Sequence, residues 1–517
     1  MFSAILSSLL FAQAGLPQTK AEKTNYKETS TYADVIQFLN ELKATKAPIR
    51  ITEIGKSPEG KTIPLVIAAR PMVNTPEEAR KSGKLVIYIQ ANIHAGEVEG
   101  KEAALMLLRD YTLPSSKMLD KTILIVQPIY NIDGNEKFAP QARNRPGQNG
   151  PEMVGVRANG QGFDLNRDCV KAESNEMEAV LKHVYTWRPH IVYDLHTTDG
   201  TRHGYPLTFS GVLHPNFHPT MKKYQFDDFF PSVVKSMKTT YDTNIFDYGN
   251  GTKENGNWRF DTFGCEARYV TTYGGLRNAF CVLSEAMVYE PFDIRVRDTY
   301  RFVDECQKKF IRDHKKIIAM CKKADRDATN WGNNPSKAPA MATRYRLLNR
   351  GIEGVLLEKG IGTGARRQGP VRDVEPVMMP VYDRFEAAAT TQLPYAYFVP
   401  ASETKALEKL KLHGIVMSEL TQVAPQVKFE ALSITNVAQA ATAFQGHKLM
   451  TIDGTWGPAT PPTSGYIIRL GQPLGVLAFD LLEPTAGDGL TTWGFFGEPL
   501  TAGQLHPVLR VVAPSKF

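Results

Sequence analysis

The chain has 517 residues, of which 42% are apolar and 22% charged, and its formal net charge is +7. This is the composition of a folded globular protein rather than a disordered or fibrous one, and the length exceeds what one hydrophobic core normally holds. The chain has no dense Lys/Arg block of the kind that tracks phosphates, so nucleic acid is not indicated as a partner.

The first 14 residues have the pattern of a short secretory signal. An apolar run ends there on the small-residue sequence Ala12-Gln13-Ala14. A frayed terminus or a misassigned start is the alternative, because no positively charged segment precedes the run. We expect a secreted or periplasmic protein, and no other apolar run is long enough to span a bilayer. The five cysteines lack metal-type spacing, which favours buried thiols with or without one disulfide.

The first predicted elements are a helix over residues 32–43 and a hairpin formed by residues 50–54 and 62–69. A strand over residues 85–89 follows, rich in β-branched residues and buried on both faces, as in a parallel sheet. His94 and Glu97 come directly after it, and a helix then runs until Pro114 ends it. Ligands bind at such carboxyl ends of strands, and an imidazole with a nearby carboxylate suits Zn²⁺. The pair predicts half of a metal site.

The same order recurs downstream. Residues 122–130 are predicted as a buried strand that ends in a turn at 131–134, and the polar, Gly/Pro-rich stretch 136–162 is long enough to be a functional loop. The strand 190–195 delivers His196 at its carboxyl end, which makes His196 the third ligand candidate. A later strand, 280–283, closes on Ser284 and Glu285.

The remaining pattern predicts the domain organisation. Residues 293–323 have helical spacing, and the composition changes over residues 325–340. We predict a signal peptide over 1–14, a catalytic α/β domain over 25–325, a linker over 326–340, an α/β accessory module over 341–440 and a β-rich module over 441–517.

Five motifs in order resemble those of the zinc carboxypeptidase (M14) family typified by carboxypeptidase A. They are His-x-x-Glu at 94–97, Asn-x-Asp-Gly at 131–134, Asp-Leu-Asn-Arg at 164–167, His196, and Glu285 on a late strand. The resemblance implies a mixed, largely parallel central sheet with helices on both faces.

The resemblance also implies roles for these residues. His94, Glu97 and His196 would hold one Zn²⁺ per chain, and Glu285 would be the general base. Glu290, five residues on, is the rival, but it follows the strand and precedes Pro291.

The implied substrate is a peptide with a free C-terminal carboxylate. Asn166 and Arg167 would bind that carboxylate, because a guanidinium binds it bidentately. For Arg167, an ion pair with Asp168 or Glu176 is the alternative.

An arginine in the preceding loop would stabilise the oxyanion. We expect this to be Arg145, with Arg143 as the second candidate. Tyr273 resembles the family's substrate-capping tyrosine, although it stands closer to Glu285 than the common pattern. Two departures are evident: Gly96 stands where many members have an arginine, and Arg277 precedes the Glu285 strand, where a cation would favour an acidic substrate group.

Three hypotheses follow from these residues. The first is a zinc metallocarboxypeptidase that acts on peptides, with cell-wall peptides among its candidate substrates. The second is a zinc-dependent N-acyl amino acid deacylase of the succinylglutamate desuccinylase and aspartoacylase type, which shares the ligands and an Asn-Arg pair. The third is an inactive carboxypeptidase-like binding protein. The Asn-x-Asp-Gly turn and the late Glu285 strand favour the first, and the presence of every ligand and of the base disfavours the third.

Overall fold

The computed structural model describes residues 15–360, 369–420, 427–460, 464–497 and 499–513. The predicted signal segment, residues 1–14, lies outside these ranges. Among the helices described, none combines the length and the apolar character that crossing a membrane requires.

Strands are distributed along the whole described chain. In chain order they are β1 Ile49–Lys56, β2 Thr62–Ala68, β3 Leu85–Ala91, β4 Thr122–Gln127, β5 Ala139–Pro140, β6 Met153–Val154, β7 Ile191–Thr198, β8 Leu207–Ser210, β9 Ile245–Asp247, β10 Asn250–Glu254, β11 Asn257–Asp261, β12 Phe280–Met287, β13 Met341–Glu358, β14 Val374–Thr391, β15 Ala396–Pro400, β16 Ser418–Leu420, β17 Phe429–Gln439, β18 Met450–Ala459, β19 Gly465–Arg469 and β20 Leu505–Val511.

The helices alternate with the strands in the first two thirds of the chain. They are α1 Lys20–Lys23, α2 Tyr32–Ala44, α3 Pro76–Lys81, α4 Glu99–Thr112, α5 Met118–Lys121, α6 Ile132–Glu136, α7 Gln141–Asn144, α8 Asn175–His183, α9 Pro219–Tyr224, α10 Phe230–Tyr241, α11 Val270–Leu276, α12 Phe292–Arg312, α13 His314–Asn333, α14 Thr404–Leu412 and α15 Gly475–Leu482.

An eight-stranded sheet in the order β1-β2-β4-β3-β7-β12-β8-β9 forms the centre of the molecule. Its middle strands β4, β3, β7 and β12 are parallel to one another, while β1, β2 and β8 introduce antiparallel pairs. Every residue of these four middle strands is buried, as expected for strands covered on both faces. The predicted mixed, largely parallel sheet is confirmed.

Helices cover both faces of this sheet. Gly100 of α4 packs against Leu195, whereas Gly274 of α11 packs against Val192 and Cys281. Leu195 and Val192 are an odd number of residues apart on β7, so their side chains point to opposite faces. Helices α4 and α11 therefore lie on opposite sides of the strand that carries His196.

Two further sheets contain the C-terminal strands. The first, in the order β10-β11-β14-β13, joins residues 341–391 to the β10–β11 hairpin, and the second has the order β16-β19-β15-β20-β17-β18. In the second sheet β17 pairs with β18, and β15 pairs with both β19 and β20. The six-stranded sheet thus crosses the predicted boundary at residues 440 and 441, because strand pairing joins segments that are far apart in the sequence.

The predicted linker 326–340 also differs from the structure. The helical stretch predicted over 293–323 is divided at Asp313 into α12 and α13, and α13 continues to Asn333. Its buried positions Ala324, Ala328 and Gly332 keep the helical spacing through the polar composition of this stretch. All five cysteines are buried free thiols.

Candidate metal centre and active site

Two neighbouring strand ends bring the three candidate ligands together. His94 and Glu97 lie in the turn between β3 and α4, and His196 lies near the end of the neighbouring parallel strand β7. Asn92 adopts a left-handed backbone conformation with φ of 64°, and its side-chain amide donates to the carbonyl oxygens of Ala95 and Glu97. This turn points His94 and Glu97 in one direction.

The ligand atoms of these three residues converge. His94 Nδ1 lies 3.2 Å from Glu97 Oε1 and 3.2 Å from His196 Nδ1, and His196 Nδ1 lies 3.0 Å from Glu97 Oε2. All three side chains are buried, and they form a group able to hold a metal ion within the part of the chain that the structure describes. Two imidazole nitrogens and one carboxylate suit Zn²⁺ with further coordination positions open.

Two aspartates orient the histidine rings from behind. His94 Nε2 lies 2.9 Å from Asp164 Oδ1, and His196 Nε2 lies 2.9 Å from Asp194 Oδ2. Such carboxylate–histidine pairs leave the Nδ1 atoms free for a metal and raise their basicity. Sequence analysis assigned no role to either aspartate, although Asp164 opens the Asp-Leu-Asn-Arg motif and Asp194 shares a strand face with His196.

Electrostatics keep the metal-facing carboxylate ionised. Burial by itself would raise the pKa of Glu97, but Arg145 and the two histidines hold that pKa well below its usual value. Arg145 Nη1 lies 3.0 Å from Glu97 Oε1, and Arg145 Nη2 donates to the carbonyl oxygen of Thr197 over 2.6 Å. Arg145 thereby ties the metal-facing carboxylate to the end of β7.

Glu285 lies beside the ligands on the next strand. It is directly opposite His196 in the parallel pairing of β12 with β7, and it is buried. The pKa of Glu285 is raised to about 8, chiefly by burial; Glu97 contributes to the rise, while His196 and Arg145 oppose it. A carboxyl group with a pKa near the operating pH is suited to exchange protons in catalysis.

A cavity of 460 Å³ connects these groups to solvent. It is lined by the three ligand candidates and by four further residues that the sequence had indicated: Glu285, Arg145, Asn166 and Arg167. The additional polar or aromatic lining residues are Arg157, Asp194, Thr197, Asp199, Tyr248, Phe263, Tyr269 and Thr271.

Asn166 and Arg167 form one wall of the cavity. Asn166 Oδ1 accepts a hydrogen bond from the backbone N–H of Val270, and the Arg167 guanidinium lies 4.5 Å from the centre of the Tyr269 ring. The acids considered as alternative partners of Arg167 have other partners: Asp168 pairs with Lys171 at 2.7 Å, and Glu176 accepts from Asn159.

Arg157 is the cation that sequence analysis missed. Its Nη1 lies 3.1 Å from His94 Nδ1, its Nη2 pairs with Asp164 at 2.8 Å, and 44% of its side chain is exposed. The Asn-x-Asp-Gly turn supports its loop, because Asn131 Nδ2 donates to the Arg157 carbonyl oxygen. The sequence feature that could have indicated Arg157 is its position in the polar loop, seven residues before Asp164.

Four predicted or rival residues lie elsewhere. Arg143 is exposed on α7 and does not line the described cavity. Tyr273 is fully buried, with its hydroxyl 2.7 Å from His413 Nδ1, and Arg277 donates to the Tyr273 hydroxyl and to the His413 carbonyl oxygen. Glu290 lies in a separate cavity beside Arg297 and Arg372. Tyr273 and Arg277 thus join the first part of the chain to α14 rather than face the metal-site cavity.

The sequence is similar to those of known carboxypeptidases. The sequence profile described as zinc carboxypeptidase matches residues 35–282. Carboxypeptidase 2 of Trichophyton tonsurans is 22% identical over 484 residues, covering 88% of this chain and 81% of that protein. The human carboxypeptidase N catalytic chain is 24% identical over 263 residues, which is 45% of this chain and 53% of that protein. The structure of carboxypeptidase A from Helicoverpa armigera superposes with a TM-score of 0.41 at 14% identity, over 55% of this chain and 74% of that one.

We expect Asp194→Asn to weaken zinc binding by roughly 10- to 100-fold, because the neutral amide no longer supports the basicity of His196. Competition with a chromophoric chelator measures the affinity. Asp199→Asn is the matched control, since this exposed aspartate lines the same cavity. Equal losses in both variants would show that the cavity's total negative charge matters and that ring orientation does not.

Proposed function

We propose that the chain is a peptidase of the zinc carboxypeptidase (M14) family, whose sequence profile matches residues 35–282, and that it is a zinc-dependent metallocarboxypeptidase that removes the C-terminal residue of peptides. The observation that supports this most is the content of one cavity: three ligand candidates, a buried glutamate and an Asn-Arg pair. We include secretion in the proposal, and the pattern of residues 1–14 supports it.

His94, Glu97 and His196 would hold the zinc ion, because their donor atoms already face one another and Asp164 and Asp194 orient both rings. When bound there, zinc acts as a Lewis acid and lowers the pKa of water to about 7. The chain supplies the remaining functions: it moves protons, stabilises negative charge and binds the substrate carboxylate.

Glu285 would take the proton of the attacking water and pass it to the leaving amine. It is buried beside His196 on the adjacent strand, and its raised pKa suits it to both steps. Glu290 faces a different cavity, which supports the choice of Glu285.

We assign the oxyanion to Arg157 rather than to Arg145 or Arg143. Both side chains approach Glu97 Oε1, Arg145 at 3.0 Å and Arg157 at 3.5 Å, but 44% of the Arg157 side chain is exposed, whereas Arg145 is only 13% exposed and also donates to the Thr197 carbonyl oxygen. Arg143 does not line the cavity. An exposed cation can turn toward charge that develops on a substrate.

Arg145 instead would replace the arginine that is absent at Gly96. A Cβ on residue 96 would lie 3.7 Å from Arg145 Cδ and 3.1 Å from the Gly155 carbonyl oxygen. The glycine leaves room for the Arg145 side chain, which reaches Glu97 from a different loop. Its role would be to hold Glu97 in place for the metal.

Asn166 and Arg167 would bind the substrate's terminal carboxylate. Arg167 is held over Tyr269, and Asn166 is held by Val270, so both polar groups are fixed before substrate arrives. A comparison of peptides with N-acyl amino acids as substrates distinguishes an exopeptidase from the N-acyl amino acid deacylase.

We expect Glu285→Gln to retain zinc and fold but to lower kcat by roughly 10²- to 10⁴-fold, because an amide accepts no proton from water. Zinc content and steady-state kinetics are the measurements. Glu290→Gln is the matched variant and should keep its turnover. If Glu290→Gln is inactive and Glu285→Gln is active, the base has been assigned to the wrong strand end.

We expect substitutions of Arg157, Arg145 and Arg143 to have different effects on turnover and on zinc binding. Arg157→Met should lower kcat by roughly 10²- to 10³-fold with zinc retained, as for loss of an oxyanion donor. Arg145→Met should weaken zinc binding, because Glu97 loses its partner. Arg143→Met, the exposed control, should change neither. Retained turnover in Arg157→Met together with lost turnover and full zinc in Arg145→Met would return the oxyanion role to Arg145.

We expect Arg167→Ala to lower kcat/KM on free-carboxylate peptides by roughly tenfold to a hundredfold, the value of a charged hydrogen bond of about 1.5 to 3 kcal/mol. Amidation of the peptide C-terminus removes the same interaction from the other side. The variant should therefore lose little more on amidated peptides, which is the non-additive result expected of direct partners. Equal losses on both substrates would favour an endopeptidase.

A further inference from the structure

The C-terminal region packs into the catalytic domain rather than beside it. One hydrophobic core includes Tyr273 and Leu276 of α11 together with Leu410, Leu477 and Val508 from beyond residue 400. Two sets of polar contacts between the regions, from Asp488 and from the loop between β17 and β18, lie behind the group Asn166, Arg167, Tyr269 and Val270, called the carboxylate wall below.

Asp488 is the most buried of these contacts. Its Oδ2 accepts a hydrogen bond from the backbone N–H of Arg268 over 2.6 Å, and its Oδ1 lies 2.6 Å from Arg268 Nη2. Trp493 Nε1 also donates to Oδ1 over 3.0 Å, and only 2% of Asp488 is exposed. Arg268 directly precedes Tyr269 and Val270, so Asp488 holds the backbone that carries one half of the wall.

The loop between β17 and β18 holds the other half. Gln445 Oε1 accepts a hydrogen bond from the backbone N–H of Asp164 over 2.8 Å, and His447 Nε2 lies 2.9 Å from Glu173 Oε2. Asp164 begins the 3₁₀ turn that carries Asn166 and Arg167, and its carboxylate contacts His94. Gln445 therefore contacts the backbone of a residue that serves both the wall and the metal site.

We propose that Asp488 and Gln445 are positioning residues that fix the carboxylate wall from outside the catalytic domain, so that the C-terminal region completes the binding site for the substrate's terminal carboxylate. Bidentate recognition tolerates little misplacement, and loops that carry binding groups open more readily than core strands. Hydrogen bonds to a buried carboxylate resist such opening, because breaking them leaves a charge without partners. The wall's part in binding rests on the function proposed above; its support by Asp488 and Gln445 does not.

Asp488→Asn tests this proposal against a matched control. Glu483 is an equally buried carboxylate in the same region, paired with Arg510 at 2.6 Å, and its partners Tyr397 and Arg510 lie outside the wall. We expect Asp488→Asn to raise KM for free-carboxylate peptides roughly tenfold or more, with kcat and zinc content nearly unchanged. The effect on amidated peptides should be smaller. Glu483→Gln should leave the ratio between the two substrates at the wild-type value.

Hydrogen exchange supplies a readout that needs no substrate. Peptides covering residues 164–170 and 266–272 should exchange faster in Asp488→Asn than in Glu483→Gln at equal melting temperature. Gln445 is half-buried, and Gln445→Ala should also speed hydrogen exchange in residues 164–170. This variant tests the proposal if Asp488→Asn does not fold. Unchanged exchange in these segments would overturn the proposal. If the wild-type enzyme does not distinguish free from amidated peptides, the proposed exopeptidase function is wrong. Hydrogen exchange would still show whether Asp488 and Gln445 hold the carboxylate wall in place.

Discussion

The parallel register of β3, β7 and β12 is the constraint on which the site depends. It places Glu285 directly opposite His196 and sets the His94 turn at the same sheet edge. Side chains alternate between faces along a strand, so a shift of one residue between β7 and β12 would place Glu285 and His196 on opposite faces of the sheet. The positions of the side chains in the cavity are therefore fixed by backbone hydrogen bonds between the strands.

The cavity floor also requires balanced charge. Glu97, Glu99, Asp194 and Glu285 are buried close together, and burying carboxylates without partners is costly. Arg145 faces Glu97, while Arg295 faces Glu99 and donates to the carbonyl oxygens of Asn149, Gly150 and Glu290. These two arginines join the acidic floor to the loops above it, so the charges that a metal site requires also hold its surroundings together.

Local patterns in the sequence were enough to predict the strand ends and the ligand candidates. An apolar strand followed by a histidine, found twice, pointed to His94 and His196, whereas the role of Glu285 was implied by the resemblance to the carboxypeptidase family. Patterns of this kind could not show which loop residues fold back over the cavity. Arg157 and Tyr269 line it, while Tyr273 and Arg277 instead contact His413, a residue far away in the sequence. The linker and module boundaries were misplaced for the same reason: composition identifies polar surfaces and turns, but it does not show which distant strands pair.

The strand order of the C-terminal sheet has a consequence for the timing of synthesis. β20, residues 505–511, lies in the middle of its sheet between β15 and β17 and is the last described strand to leave the ribosome. Until it is inserted, β15 and β17 present unpaired edges, and the region behind Arg268 lacks its completed sheet. The nascent chain thus carries the candidate ligands His94, Glu97 and His196, and also Glu285, long before the strand that completes this sheet is made. A chain built in this order synthesises the residues of its central cavity first and the middle strand of its six-stranded sheet only afterwards.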